Sequence, residues 1–175
     1  MLHKEEKIGV LIDGSNIYSA TKHLEFQVDY GNLLNWFNRQ GKLVRAMYFT
    51  AVNENEDFNL VKPLIDWLDY NGYKVITKPT VTHTTSTGEI RTKGNMDIEL
   101  CVRGLRLASM VDRIFLFSGD GDFVSMVEDM QEYHGCHVTV ISHRGHHPGR
   151  NKSIESFVSD RLRRTADQYI DLLDL

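Results

Sequence analysis

Five short runs rich in β-branched and aromatic residues punctuate the chain: IGVLI (8–12), VRAMYFT (44–50), YKVIT (73–77), RIFLFS (113–118) and HVTVI (137–141). They are largely apolar from end to end, the pattern of strands buried on both faces. Segments with helical spacing separate them. Two follow the first run, at 16–23 and 30–39, the second with Leu33, Leu34 and Phe37 as a one-sided apolar stripe. Phe58, Val61, Leu64, Ile65 and Leu68 form another stripe, in which Pro63 demands a helix start or a kink. Further helices are expected over 96–110, 121–133 and 166–175. Strands alternating with helices imply right-handed crossovers, so the expected fold is a three-layer α/β arrangement. Its sheet is mainly parallel, of about five strands, with helices on both faces. The Thr-rich stretch 78–93, with the turn Ser86-Thr87-Gly88, breaks the rhythm and predicts a protruding β-hairpin.

Composition removes several function classes. No apolar run approaches the length of a membrane span, and the polar start MLHKEEK is not a signal peptide, so no membrane partner is expected. Cys101 and Cys136 lie in apolar surroundings and read as reduced thiols of a cytoplasmic protein. The net charge of −4 argues against binding nucleic acid by bulk electrostatics. That objection weakens if the acids hold cations, which reverse the local sign. Charge is also uneven, with six Lys/Arg against two acids between 143 and 164.

The acids matter for their position. Asp13 directly follows the first strand, in LIDGSN, and Asp120 directly follows the fourth, in LFSGDGDF, with Asp122 two residues on. Open parallel sheets bind ligands beyond the carboxyl ends of their strands, where the strand order reverses. If the first and fourth strands flank that reversal, Asp13 and Asp120 converge. In KGNMDIEL, Asp97 falls in the first turn of a helix, on the face shared with Cys101, Leu105 and Ala108. Asp122 repeats this pattern with Met126 and Met130, whereas Glu99 points elsewhere. Taken singly, Asp13 or Asp120 could cap a helix or turn, and Asp97 or Asp122 could answer a helix dipole. Four acids at one sheet edge repel one another unless cations intervene, and all-oxygen ligands suit Mg²⁺ or Mn²⁺ better than zinc.

Other motifs carry less. His143, His146 and His147 lack a matching cysteine pair and read as a polar loop in preference to a zinc site. SGDGDF lacks the lysine of a phosphate-binding loop. A small-molecule phosphatase of the aspartyl-phosphate type would need a second acid where Ser15 stands.

The motifs Asp13-Gly14-Ser15-Asn16, Lys93-Gly94-Asn95-Met96-Asp97 and Ser118-Gly119-Asp120-Gly121-Asp122-Phe123 together resemble those of the NYN domain family, in its bacterial LabA-like branch. Ser159, Leu162, Ala166 and Asp167 fit its closing pattern. The resemblance implies a PIN-like fold in a single domain of residues 1–175, with 7–175 as its core. It also implies a metal-dependent ribonuclease with Asp13, Asp97, Asp120 and Asp122 as metal-binding and catalytic positions. On this reading Mg²⁺ or Mn²⁺ is the cofactor, and Asn16, Ser118 and Lys93 support the site. RNA is the partner, gripped by Lys93, Arg144, Arg150 and Lys152, and a homodimer is allowed. The competing expectations are an RNA-binding regulatory module with little turnover, and a metal-dependent phosphatase acting on small phosphoesters.

Overall fold

A computed structural model describes residues 5–52, 58–84, 90–145 and 156–175, with the side chains of 58–60, 81–84 and 90–93 outside the description. The elements run β1 (Lys7–Asp13), α1 (Gly14–Leu24), α2 (Tyr30–Gln40), β2 (Lys42–Val52), α3 (Phe58–Tyr70), β3 (Tyr73–Pro79), β4 (Val81–Thr84), β5 (Ile90–Lys93), α4 (Asp97–Ala108), β6 (Arg113–Phe117), α5 (Val124–Glu132), β7 (His137–Ser142), α6 (Asp160–Thr165) and β8 (Gln168–Asp171). Short 3₁₀ turns precede α5 and follow β8.

The main sheet has six strands in the order β3-β2-β1-β6-β7-β8, and every pairing is parallel. Order reverses between β1 and β6, which lie side by side with Ile12 opposite Phe117. The strand ends carrying Asp13 and Ser118 are therefore neighbours at the switch point. β4 and β5 pair antiparallel as a separate two-stranded sheet, with Val81 opposite Lys93. The turn Ser86-Thr87-Gly88 lies outside the described residues.

Alternate residues of each strand feed two cores. Leu11, Phe49, Leu116 and Val140 pack with α4, α5 and α6 on one face. Ile8, Val10, Ile12, Phe115 and Phe117 pack with α1, α2 and α3 on the other. This is why the central runs read as continuously apolar: both faces are covered. Burial of each such side chain contributes about 1.5–3 kcal/mol.

The sequence reading needs correction at the C-terminus. A helix was expected over 166–175, but Gln168–Asp171 forms a sixth strand on β7, and the helix ends at Thr165. Ala and Leu favour a helix there, but the exposed edge of β7 offers a ladder, and pairing overrides local propensity. Pro63 lies inside α3 rather than starting it.

Candidate metal centre

Three chain segments meet beyond the carboxyl ends of β1 and β6. The first is the turn from β1 into α1. Asp13 caps α1, its Oδ1 accepting from the Asn16 N–H at 3.2 Å and from the Ser15 hydroxyl at 2.8 Å. Its Oδ2 accepts from the Ser118 hydroxyl at 3.0 Å. Ser118 is fully buried, and its oxygen in turn accepts from the Asp120 N–H at 3.2 Å. Asn16 completes the tie, its side-chain carbonyl accepting from the Gly119 N–H at 3.1 Å. The two loops that follow the central strands are thus fastened together by Asp13, Asn16 and Ser118.

Two glycines make the close approach feasible. A Cβ on Gly119 would lie 1.5 Å from the Phe157 carbonyl oxygen, and one on Gly14 2.7 Å from the Phe49 carbonyl oxygen. At Gly119 the backbone of 157–159 crosses directly over the loop, held by Ser159 N–H donating to the Gly119 carbonyl at 2.8 Å.

The second segment is the 3₁₀ turn Gly121–Phe123. Asp120 caps it, accepting from the Asp122 N–H at 2.9 Å. Phe123 is buried and anchors the turn in the core, which leaves Asp122 exposed. This corrects the expectation that Asp122 stands on a core-facing helical stripe. Met126 and Met130 are buried as expected, but the helix starts only after the 3₁₀ turn, so Asp122 is out of phase with them.

The third segment is the start of α4. Asp97 opens the helix, half-buried, while Leu100, Gly104, Leu107 and Ala108 face the core. Asn95 grips it twice: its side-chain carbonyl accepts from the Asp97 N–H at 2.7 Å, and its amide donates to the carboxylate. Glu99 turns away to Lys78, 2.9 Å distant.

Carboxylate oxygens of Asp97, Asp120 and Asp122 lie within 4.8 Å of one another. Asp13 stands beside this triplet, and it lines with Asp97, Asp120, Asn95 and Phe157 a cavity of about 430 Å³. Burial pushes the Asp97 carboxyl up, and the charges of Asp120, Asp13 and Asp122 add to the rise against the Asn95 hydrogen bond. Among the described residues, no Lys, Arg or His ion pair reaches these four acids. Crowded carboxylates with open lone pairs and, among the described residues, no ion-paired base fit a hard divalent cation, which takes oxygen ligands. The capping roles of Asp13 and Asp120 coexist with this arrangement.

The basic residues are less gathered. Arg144 is exposed, with its guanidinium 3.7 Å from Asp171. Lys93 ends β5 with its side chain outside the description, and Arg150 and Lys152 lie outside the described residues. Arg163 and Arg164 pair with Asp160 at 3.0 and 2.7 Å, so part of the basic run neutralises itself. His146 and His147 also lie outside the described residues. His143, expected in a polar loop, is fully buried, with Nδ1 3.0 Å from the Asp171 carboxylate. Strand β7 is buried through Ser142 and carries His143 inward.

Residues 7–173 match the model of the NYN domain family. Over its whole length the chain is 31% identical to the low amplitude and bright protein LabA of Synechococcus elongatus, covering 88% of that protein. Among solved structures, a protein of unknown function from Vibrio parahaemolyticus superposes with a TM-score of 0.77 at 23% identity. That likeness, which covers 98% of this chain and 96% of the other, is one of fold.

Proposed function

The chain belongs to the NYN domain family, in its LabA-like branch, and from that membership and the acid cluster we propose that it is a metal-dependent ribonuclease. Membership supports a nuclease-type or RNA-related role. The observation that carries the finer reading is the Asp97–Asp120–Asp122 triplet, whose oxygens lie within 4.8 Å. These three acids would hold Mg²⁺ or Mn²⁺, with Asp13 contributing directly or through water. When bound, the cation supplies Lewis acidity, generating a nucleophile from water and offsetting charge on the phosphodiester.

The chain's own groups do the positioning. Ser118 fixes the Asp13 carboxylate, Asn95 fixes Asp97, and Asn16 holds the β6 loop against α1. Such outer contacts keep ligands in one geometry, so that binding does not have to order them. Lys93, Arg144, Arg150 and Lys152 are assigned to the flanking RNA backbone as positioning contacts. A single domain of residues 1–175 suffices, since all four acids come from one chain. Among the described residues, no helix is long and apolar enough to cross a membrane. Cys101 and Cys136 are both free, which suits the cytoplasm.

A cleavage assay tests the reading, using labelled single-stranded and structured RNA with Mg²⁺ or Mn²⁺ and an EDTA control. Metal-dependent cleavage that disappears in Asp120→Asn is expected. Binding without cleavage would favour a regulatory module, and turnover confined to small phosphoesters would favour a phosphatase.

A further inference from the structure

The acid pocket has one wall of a different chemistry. Phe157 is the one aromatic among the described residues that line it, and apart from Gly94 and the buried Met96 the rest of the lining is polar. Phe157 is half-buried and packs in part against the core on the α1 side of the sheet. A single half-exposed ring is ordinary on a protein surface. This one is set apart by where it stands and how firmly it is held.

Its backbone is pinned from three sides. The Phe157 N–H donates to the His143 carbonyl at 2.9 Å, and the Ser142 hydroxyl donates to the Phe157 carbonyl at 3.3 Å. Two residues on, the Ser159 N–H donates to the Gly119 carbonyl. Only a glycine at 119 leaves room for the Phe157 carbonyl oxygen, so the residue is fastened to the loop that carries Asp120. The ring is braced as well. The exposed His23 of α1 meets it with centroids 5.5 Å apart and planes at 61°, close to the edge-on arrangement that aromatic pairs prefer.

Helix α1 relates this ring to the acids. Ser15, Ser19 and His23 recur every four residues and so share one face. Ser15 donates to the Asp13 carboxylate, Ser19 lines the pocket, and His23 meets Phe157. From Ser15 to His23 the helix rises about 12 Å. One cavity therefore offers carboxylates, two hydroxyls and an aromatic ring.

A nucleotide carries the complement of that set. Its phosphate goes to a cation at the acids, its ribose to the hydroxyls, and its base has a π-face for the ring. An inorganic phosphate would reach only the acids, and a purely apolar ligand would set its surface against carboxylates and hydroxyls. The volume of about 430 Å³ lies within the range of about 300–1,000 Å³ typical of small-ligand clefts. Bases in a duplex are stacked on one another, so only an unpaired strand can offer one. Because Phe157 is already fixed, little ordering is needed when a base arrives. We propose that Phe157 is the platform on which a nucleobase of single-stranded RNA stacks, next to the phosphodiester at the acid cluster, with His23 bracing the ring. The choice of RNA rests on the ribonuclease reading above.

The test is binding without turnover. Fluorescence anisotropy of a labelled single-stranded RNA oligomer is followed with the full chain in Ca²⁺, and a gel verifies that the RNA stays intact. Phe157→Leu, which keeps an apolar side chain against the core, should raise Kd by at least about 5-fold, the lower end of what one base–aromatic stack is worth. Phe157→Tyr should remain near wild type. An abasic oligomer should bind wild type and Phe157→Leu alike. Mn²⁺ should raise the melting temperature of both proteins equally. The proposal is overturned if Phe157→Leu binds RNA as tightly as wild type, or if wild type binds no RNA. It is also overturned if Phe157→Leu loses as much on the abasic oligomer, or loses its Mn²⁺ response, since the ring would then act only by holding the pocket together. Phe157-dependent binding of RNA that Mn²⁺ never cleaves would sink the ribonuclease reading and leave the base platform standing. Cleavage with a Phe157-independent Kd would do the reverse.

Discussion

Asp171 and the Asp97–Asp120–Asp122 triplet are aspartates of one sheet protein, and the fold treats them in opposite ways. Asp171, at the end of β8, is buried and accepts from His143 Nδ1 at 3.0 Å and from the Arg144 and Leu173 N–H groups at 3.2 Å each. Burial works to raise its pKa, but these hydrogen bonds outweigh it and hold the carboxyl below the usual range. Among the described residues Asp97 has Asn95 as its hydrogen-bond partner and faces Asp120, Asp13 and Asp122, and burial with these charges holds its carboxyl up. A carboxylate the protein uses as structure has its lone pairs filled by the protein. One left with open lone pairs among like charges is incomplete until something positive arrives.

The sharpest way to break this contrast is to remove one acid from each place and measure RNA cleavage. Asp120→Asn should lose at least about 100-fold in kcat/KM, the upper end of what outer-ligand losses alone cost. Asp171→Asn, assayed below its melting temperature, should stay near wild type. Equal losses would erase the distinction.

Stability should respond the other way round. Asp171→Ala strands His143 Nδ1 and two N–H groups, and should cost about 3 kcal/mol in urea unfolding at pH 7. The pH dependence has a definite sign. Asp171 has a depressed folded pKa, so its contribution is complete above its unfolded value of about 3.9 and fades as pH falls through the folded value. The difference between wild type and Asp171→Ala should therefore shrink in acid. A constant gap would show that Asp171 acts by packing alone.

Cation binding gives a smaller effect. At ten times its Kd, Mn²⁺ should stabilise wild type by about 1.4 kcal/mol and Asp120→Asn by clearly less. Identical shifts in thermal melting would remove Asp120 from the ligand set.

The smallest effect sharpens the comparison most. Asp97 has a raised folded pKa, so its ionisation costs stability as pH rises past its unfolded value of about 3.9. In EDTA at pH 7, Asp97→Asn should thus match or exceed wild type, by up to about 0.5 kcal/mol. Marked destabilisation would mean Asp97 is a structural acid like Asp171.

Much of the sheet was legible because burial on both faces leaves a continuous apolar run, as in β1, where every residue after Lys7 is buried. β8 was not, since Gln168–Asp171 is too short for periodicity and gains its conformation from β7. The positions of Asp13 and Asp120 followed from strand ends alone. The orientation of Asp122 did not, because it depends on a 3₁₀ turn that shifts helical phase before α5 begins. His143 was misplaced for a related reason: its partner Asp171 is 28 residues away, and nothing local announces the pair.

The Ser118–Asp13 hydrogen bond joins residues 105 positions apart, and it sits at the seam between β1 and β6. Until β6 is made, β1 has β2 on one side and an unpaired edge on the other. Pairings this remote in sequence close late, because chain entropy must be spent before they repay it. A growing chain therefore carries Asp13 and then Asp97 for a long interval with nothing to draw them together. The centre appears as one event, when β6 slots beside β1 and segment 157–159 crosses Gly119. No amino-terminal fragment ending before that point holds a reduced version of the site.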